Sequence, residues 1–198
     1  MFKYRCLNIN YVSLQSKHKI MATKKWVVDP THSEIQFKVK HLMITNVTGS
    51  FNLFTVNAET DDEDFTKATI SFSADTASIS TGNEQRDTHL KSADFFDAAT
   101  YPHLKFVATK YENIDKDGSY DLYGDLSIKD VTKQVKLSVE FGGVAKDPWG
   151  NVKAGFTISG KINRKDFGLT WNAATETGGV LVSEEVKIFA EIQLIEQQ

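Results

Sequence analysis

Apolar and polar residues alternate one for one along most of this chain. Val135, Leu137, Val139 and Phe141 fall on one parity, with Lys136, Ser138 and Glu140 on the other, which is the period of a half-buried antiparallel strand. The same period runs through Ile35, Phe37 and Val39; Ile70, Phe72 and Ala74; Leu104, Phe106 and Ala108; and Leu122, Gly124, Leu126 and Ile128. It returns in Ala154, Phe156, Ile158, Gly160 and Ile162, and in Val186, Ile188, Ala190, Ile192 and Leu194. At least seven strands are therefore predicted, and nearly every apolar face sets an Ala or Gly among large residues. Such a set predicts an all-β chain closed into a barrel. Small barrels fill their interior with side chains, sometimes alternating small and large to fit a taper, whereas others hold a ligand. The pattern alone leaves both readings open.

The breaks in the pattern carry information as well. Asp29 and Pro30, with Trp26 to Val28 before them, mark a turn after a short first strand. The stretch 51–58 is apolar on both parities, Phe51 and Leu53 on one and Phe54, Val56 and Ala58 on the other, and a bulge near Leu53 reconciles them. Residues 60–67 are acid-rich and predict a solvated tip without EF-hand spacing. Between 81 and 102 the period changes: Thr81 and Glu84 have capping-box spacing and 83–91 offers good helix formers, so one short helix is expected there. A further helical turn follows at 92–97. Arg86, His89 and Leu90 then share a face. Turns are predicted at Asp115 to Gly118, at Lys129 and Asp130, and at Asp147 to Gly150.

The 198 residues are 40% hydrophobic and 25% charged, with a mean hydropathy of −0.33, which suits one soluble domain. No apolar stretch approaches the ~18 residues of a spanning helix. The net charge of −3 hides an asymmetry, because residues 1–25 hold six Lys/Arg and no acid, leaving 17 basic against 26 acidic residues beyond them, a net of −9. An acidic body argues against nucleic acid and disfavours standing adsorption to anionic membranes. The single cysteine, Cys6, lies in the basic leader, so an intrachain disulfide is excluded and a reducing compartment fits. That leader, residues 1–24, lacks the apolar centre of a secretory signal. It reads as a disordered or mis-assigned N-terminus preceding one domain over 25–198, with Met21 as a second start and a mitochondrial presequence as the alternative.

Candidate chemistry is sparse. The five histidines, His18, His32, His41, His89 and His103, show no zinc-ligand spacing, and no metal or cofactor is expected beyond a bound ligand. Asp29, His32 and Ser33 are triad residue types, but three members within five residues of a turn do not line up as nucleophile, base and orienter; hydrogen bonding within the turn is the better account. Arg86, Asp87 and His89 form the most chemical-looking cluster. Either they pair with neighbours and fix the helix to the barrel, or Arg86 and His89 meet an anionic head group at a barrel mouth. Of the thirteen phenylalanines, Phe37, Phe72, Phe106 and Phe156 share faces with small residues and are candidates for lining an interior space.

Several motifs also stand in a familiar order. Trp26-x-x-Asp29-x-x-His32-Ser33, then Phe37-x-Val39-x-His41 and Gly49-x-Phe51, resembles the opening of the YceI-like polyisoprenoid-binding proteins. Arg86-Asp87-x-His89-Leu90, Asp94-Phe95-Phe96-Asp97 and Tyr101-Pro102 resemble that family's middle signature. Gly124-x-Leu126-x-Ile128, Val131-Thr132-Lys133 with Val135, Gly155-Phe156, Arg164-x-Asp166-Phe167-Gly168 and Val186 complete the order. The likeness runs from Trp26 to Ile195. It implies an extended, lipocalin-like antiparallel barrel of about eight strands, with one or two short helices near 83–99 and a long apolar tunnel for an isoprenoid chain. It implies no catalytic residues.

The expectation is thus a carrier or sequestering protein for a long isoprenoid or similar amphiphilic lipid, such as a quinone-like molecule, and not an enzyme. The tunnel would be lined by Phe37, Val39, Phe72, Leu104, Phe106, Leu126, Ile128, Leu137, Phe156 and Ile158. Its mouth would offer Arg86, His89 and Arg164 to the head group. The alternatives are an enzyme acting on a lipid or quinone through His89 and Asp87, and a filled barrel used as an interaction surface. The expected partner is an apolar small molecule, with a homodimer compatible. Many relatives are periplasmic, whereas the missing signal favours the cytoplasm.

Overall fold

The computed structural model describes residues 23–174 and 179–197. The chain enters as β1 (Thr23–Val28) and continues through β2 (Glu34–His41), β3 (Thr45–Phe51), β4 (Phe54–Asp61) and β5 (Asp64–Asp75). A short β6 (Ile79–Ser80) leads to helix α1 (Glu84–Lys91), after which come β7 (His103–Glu112), β8 (Tyr120–Ile128), β9 (Val131–Lys146), β10 (Val152–Asn163) and β11 (Val182–Gln197). The order across the sheet is β1-β4-β5-β7-β8-β9-β10-β11-β2-β3-β6, and β1 also bonds β11, closing an eight-strand antiparallel barrel.

Closure depends on one long strand with two successive neighbours. β11 pairs with β2 along Val186 to Glu191 and with β1 along Leu194 to Gln197. The handover falls at Gln193, whose backbone N–H binds the Ser33 hydroxyl at 2.9 Å and whose carbonyl accepts the Asp29 N–H at 2.8 Å. Asp29 therefore sits in the seam. Its carboxylate accepts bonds from the Thr31 N–H and hydroxyl, from His32 Nδ1 and from Lys153 Nζ at 2.9 Å. Burial alone would push this carboxyl up, but those donors hold it well below the usual carboxylate range. The turn explanation for Asp29 and Thr31 matches this geometry, whereas Ser33 ties the turn to β11.

β3 and β4 likewise form one broken column. Instead of the bulge expected near Leu53, the strand stops for two residues, Asn52 and Leu53. Their backbone groups are taken by Ser78 and Asp75: Leu53 N–H donates to the Ser78 hydroxyl and Asp75 N–H to the Leu53 carbonyl. The interruption flips parity, so Phe51, Val56 and Ala58 are all buried while Leu53 is exposed. β1 begins at Thr23, so the expected leader boundary at residue 24 falls inside a strand whose Lys24 bonds Glu63 and Glu196. The rest of the leader lies outside the described residues.

Helix α1 forms as expected, but its cap is Asn83, whose side chain accepts the Arg86 N–H at 2.9 Å. The capping-box reading of Thr81 is corrected, because its hydroxyl and N–H both donate to Asp87. Residues 92–97 form tight turns rather than a second helix. They fold back onto α1 through Phe96 N–H to Leu90 C=O and Ala98 N–H to Lys91 C=O.

The small residues have a different role from the one their pattern suggests. A Cβ on Gly49 would lie 2.3 Å from Phe37 Cζ, and one on Gly124 would lie 2.2 Å from Phe106 Cζ. Each glycine is thus a seat on which a neighbouring strand's ring lies flat against the wall, and the free space is bounded by rings rather than by gaps.

Candidate functional site

The barrel interior is not filled. A cavity of about 590 Å³ runs through it, inside the ~300–1,000 Å³ range of small-molecule sites. Its walls include all ten positions proposed for a tunnel: Phe37 and Val39 on β2, Phe72 on β5, Leu104 and Phe106 on β7, Leu126 and Ile128 on β8, Leu137 on β9, and Phe156 and Ile158 on β10. Strand alternation explains the placement, since these residues share the inward parity of their strands. Along β11 the lining extends from Val186 to Leu194, eight residue steps of ~3.3 Å each, or about 20 Å of depth once a barrel tilt of ~35–45° is allowed for.

One end is stopped. Phe65 stacks edge-on against Phe156 at 4.9 Å and tilts against Trp26 at 5.0 Å, and Phe141 backs both Phe65 and Phe156. Trp26 is locked by an indole N–H bond of 2.9 Å to the Thr60 hydroxyl. The expected tunnel is therefore a blind pocket. Phe65 was concealed in the sequence by its acid-rich surroundings at 60–67, read as a solvated tip. A register shift between Glu59 and Asp61 turns it inward, out of parity with Ile70 and Phe72. Beside this floor Tyr111 donates its hydroxyl to the Ala68 carbonyl, and burial pushes Tyr111 up to about 12 and raises Tyr120 as well.

The other end opens beneath α1 and the segments 169–171 and 181–182. Arg86, His89 and Arg164 all border it, but their circumstances differ. Arg164 is 3% exposed, and its guanidinium donates to the carbonyls of Ser183 (2.9 Å), Trp171 (2.8 Å), Val182 (3.3 Å) and Leu169. It is a staple that folds 169–171 and the start of β11 around one cation, and burial pushes its pKa down. Arg86 donates Nε to the Thr81 hydroxyl at 2.7 Å and Nη2 to the Thr81 carbonyl at 2.9 Å, and among the described residues it pairs with no carboxylate. His89 bonds Asp94 at 3.0 Å and meets Trp171 and Phe95 edge-on at 4.7 and 5.1 Å. Asp87 is turned to Thr81, so it and His89 do not converge as an acid–base pair.

Sequence periodicity missed Leu169, Trp171, Leu181, Phe95 and Phe96, which also line the pocket. They lie in irregular segments where no period exists. The only signal was apolar bulk inside otherwise polar loops.

A closed antiparallel barrel with a deep apolar pocket opening at one rim defines a lipocalin-like barrel protein. The YceI-like domain model matches residues 26–194, and the chain belongs to that family. A UPF0312 protein of Staphylococcus aureus (strain MSSA476) is 41% identical over 163 residues, covering 82% of this chain and 92% of that protein. The crystal structure of the Campylobacter jejuni YCEI protein aligns with a TM-score of 0.68 at 36% identity, over 81% of this chain and 91% of that one. A polyisoprenoid binding domain from Saccharophagus degradans shares the fold, with a TM-score of 0.59 at 13% identity over 87% and 98% of the two chains. Among the described residues no helix is long and apolar enough to cross a membrane.

Proposed function

We propose that this protein binds a long-chain isoprenoid or similar amphiphilic lipid, tail inward, and acts as a carrier or sequestering protein rather than as an enzyme. The observation that carries the reading is the blind cavity of about 590 Å³, walled by aromatic and aliphatic side chains to its floor. Burial of a methylene is worth ~0.8 kcal/mol, so one five-carbon unit contributes roughly 4 kcal/mol before ordering costs. A few units suffice for micromolar affinity, which needs about 8 kcal/mol. Depth, more than polar contact, then selects the ligand. Arg86 is the cation best placed for an anionic or hydroxylated head group, because Arg164 is committed to carbonyls. The description of the Saccharophagus domain as polyisoprenoid-binding agrees with this cargo.

Native mass spectrometry of the gently purified protein should show an apolar adduct, with its mass assigned from extracted lipid. Trp171, at the mouth, should change its emission when prenyl alcohols are added to stripped protein. A protein that is always empty and takes up no prenyl lipid refutes the reading.

A further inference from the structure

The hairpin joining β2 to β3 projects beside the pocket mouth and ends in Leu42, Met43 and Ile44, which are 41%, 53% and 76% exposed. Its place at the rim is fixed by a 2.8 Å bond from Leu42 N–H to the Leu181 carbonyl, and His41 and Leu181 both line the pocket. Leu42 and Met43 have φ of +52° and +61°, consecutive left-handed residues. Hairpin turns reserve that conformation for Asn and Gly, and a bulky side chain there is strained. Three apolar side chains are thus held out in water, at a turn whose backbone disfavours two of them, beside the only broad opening described for the pocket.

The charge beneath the tip is equally specific. Lys38 and Lys40 point outward from β2, and Lys187 on β11 lies directly across from Lys38. The nearby acids are already neutralised, Glu184 by Lys165 and Glu185 by Lys161. Among the described residues Lys38, Lys40 and Lys187 pair with no carboxylate. An apolar tip above three unpaired cations is the combination that enters a bilayer interface carrying anionic head groups.

We infer that the 42–44 tip and the Lys38, Lys40 and Lys187 patch dock the pocket mouth onto an anionic phospholipid bilayer. A hydrocarbon tail then passes between membrane and pocket without crossing water. The acidic excess elsewhere on the chain keeps the attachment reversible and salt-sensitive. The purpose of this docking rests on the proposed lipid cargo, but its test does not, because the vesicles contain no prenyl lipid.

Flotation of the full chain with vesicles of phosphatidylcholine and phosphatidylglycerol in equal parts should carry protein upward, and vesicles of phosphatidylcholine alone should carry much less. Met43→Ser with Ile44→Ser should weaken binding about tenfold or more per side chain. Lys38→Gln, Lys40→Gln and Lys187→Gln should each weaken it about fivefold, the equivalent of ~1 kcal/mol per surface lysine. Leu42→Asn with Met43→Gly should raise the melting temperature by relieving the turn and yet abolish flotation. Trp149→Ser, removing a side chain 83% exposed at the opposite end of the barrel, should leave flotation unchanged. The inference is overturned if the tip and lysine variants float like the parent chain, or if Trp149→Ser alone abolishes binding. It is equally overturned if the parent chain ignores vesicles and forms a dimer that the Met43 and Ile44 variants dissociate, which would make the tip's partner a second copy.

Discussion

Replacing Gly124 by Ala tests how the pocket wall is built. The new Cβ would stand 2.2 Å and 2.4 Å from the Phe106 ring and 2.6 Å from the Val107 carbonyl oxygen, so the ring must retreat by more than ~1 Å to reach an ordinary contact of ~3.5 Å. Retreat is possible only inward, since Phe106 borders the cavity. Overpacking of this kind costs about 1–3 kcal/mol. At ~2–4 °C per kcal/mol for a domain of this size, the melting temperature should fall by about 2–12 °C. The unfolded state works the other way, because replacing Gly by Ala without strain stabilises by ~0.4–1 kcal/mol; a loss must therefore come from the folded wall. Phe106→Leu in the same chain should recover about 1 kcal/mol of that loss as a coupling energy, though not all, because the Val107 carbonyl contact remains. Denaturant midpoints of the four chains in this cycle give the coupling, and prenyl-alcohol titration followed at Trp171 reports the narrowed pocket. If Gly124→Ala is as stable as the parent, or the two changes add independently, the ring is not seated on that glycine.

Three further outcomes follow from the side chains around the seam, floor and mouth. Arg164→Met should lower the melting temperature by about 6 °C or more, because several buried carbonyls lose their donor at ~1–3 kcal/mol each; Arg164→Lys should rescue little, lacking the planar fork, and a near-parental melt for Met would contradict the staple. Because Asp29 sits below its unfolded value of ~3.9, its stabilisation is complete above that pH and disappears on acidification; Asp29→Asn should flatten the melting curve against pH below about pH 5, and an unchanged acid slope would exclude Asp29 as its source. Tyr111 and Tyr120 are raised instead, so their stabilisation is intact below ~10 and is lost as pH climbs towards the value of about 12 for Tyr111. A Tyr120→Phe chain should lose part of that alkaline slope in melts between these limits, and an unaltered slope would count against a buried phenol.

The regular part of this molecule was readable because two-residue alternation has a single geometric meaning. Leu137, Phe156 and Ile158 are set on the inward face by parity alone, and the 129–130 turn falls between Ile128 and Val131, which pair directly. Parity fails where the strand is interrupted. Phe65 and Phe51 became legible only once the Glu59/Asp61 register shift and the stop at Asn52 and Leu53 were seen. Trp171 and Leu169 owe their positions to the carbonyl-binding Arg164, a long-range contact that no local period encodes. Small residues misled in an instructive way: Gly124 signals a ring lying on it, which bounds free space only indirectly. The Asn83 cap was missed because Thr81 has the capping-box spacing to Glu84; Asn83, two residues later, takes the helix start and leaves Thr81 to bind Asp87.

The aromatic stack of Trp26, Phe65, Phe141 and Phe156 turns the barrel into a cul-de-sac entered, among the described residues, from beneath α1. Whatever slides in must back out along the same track, last carbon first. Residence time should therefore lengthen steeply with each added unit of chain, while any surplus beyond the floor stays outside at the rim, so the stack acts as the stop against which a guest's length is gauged.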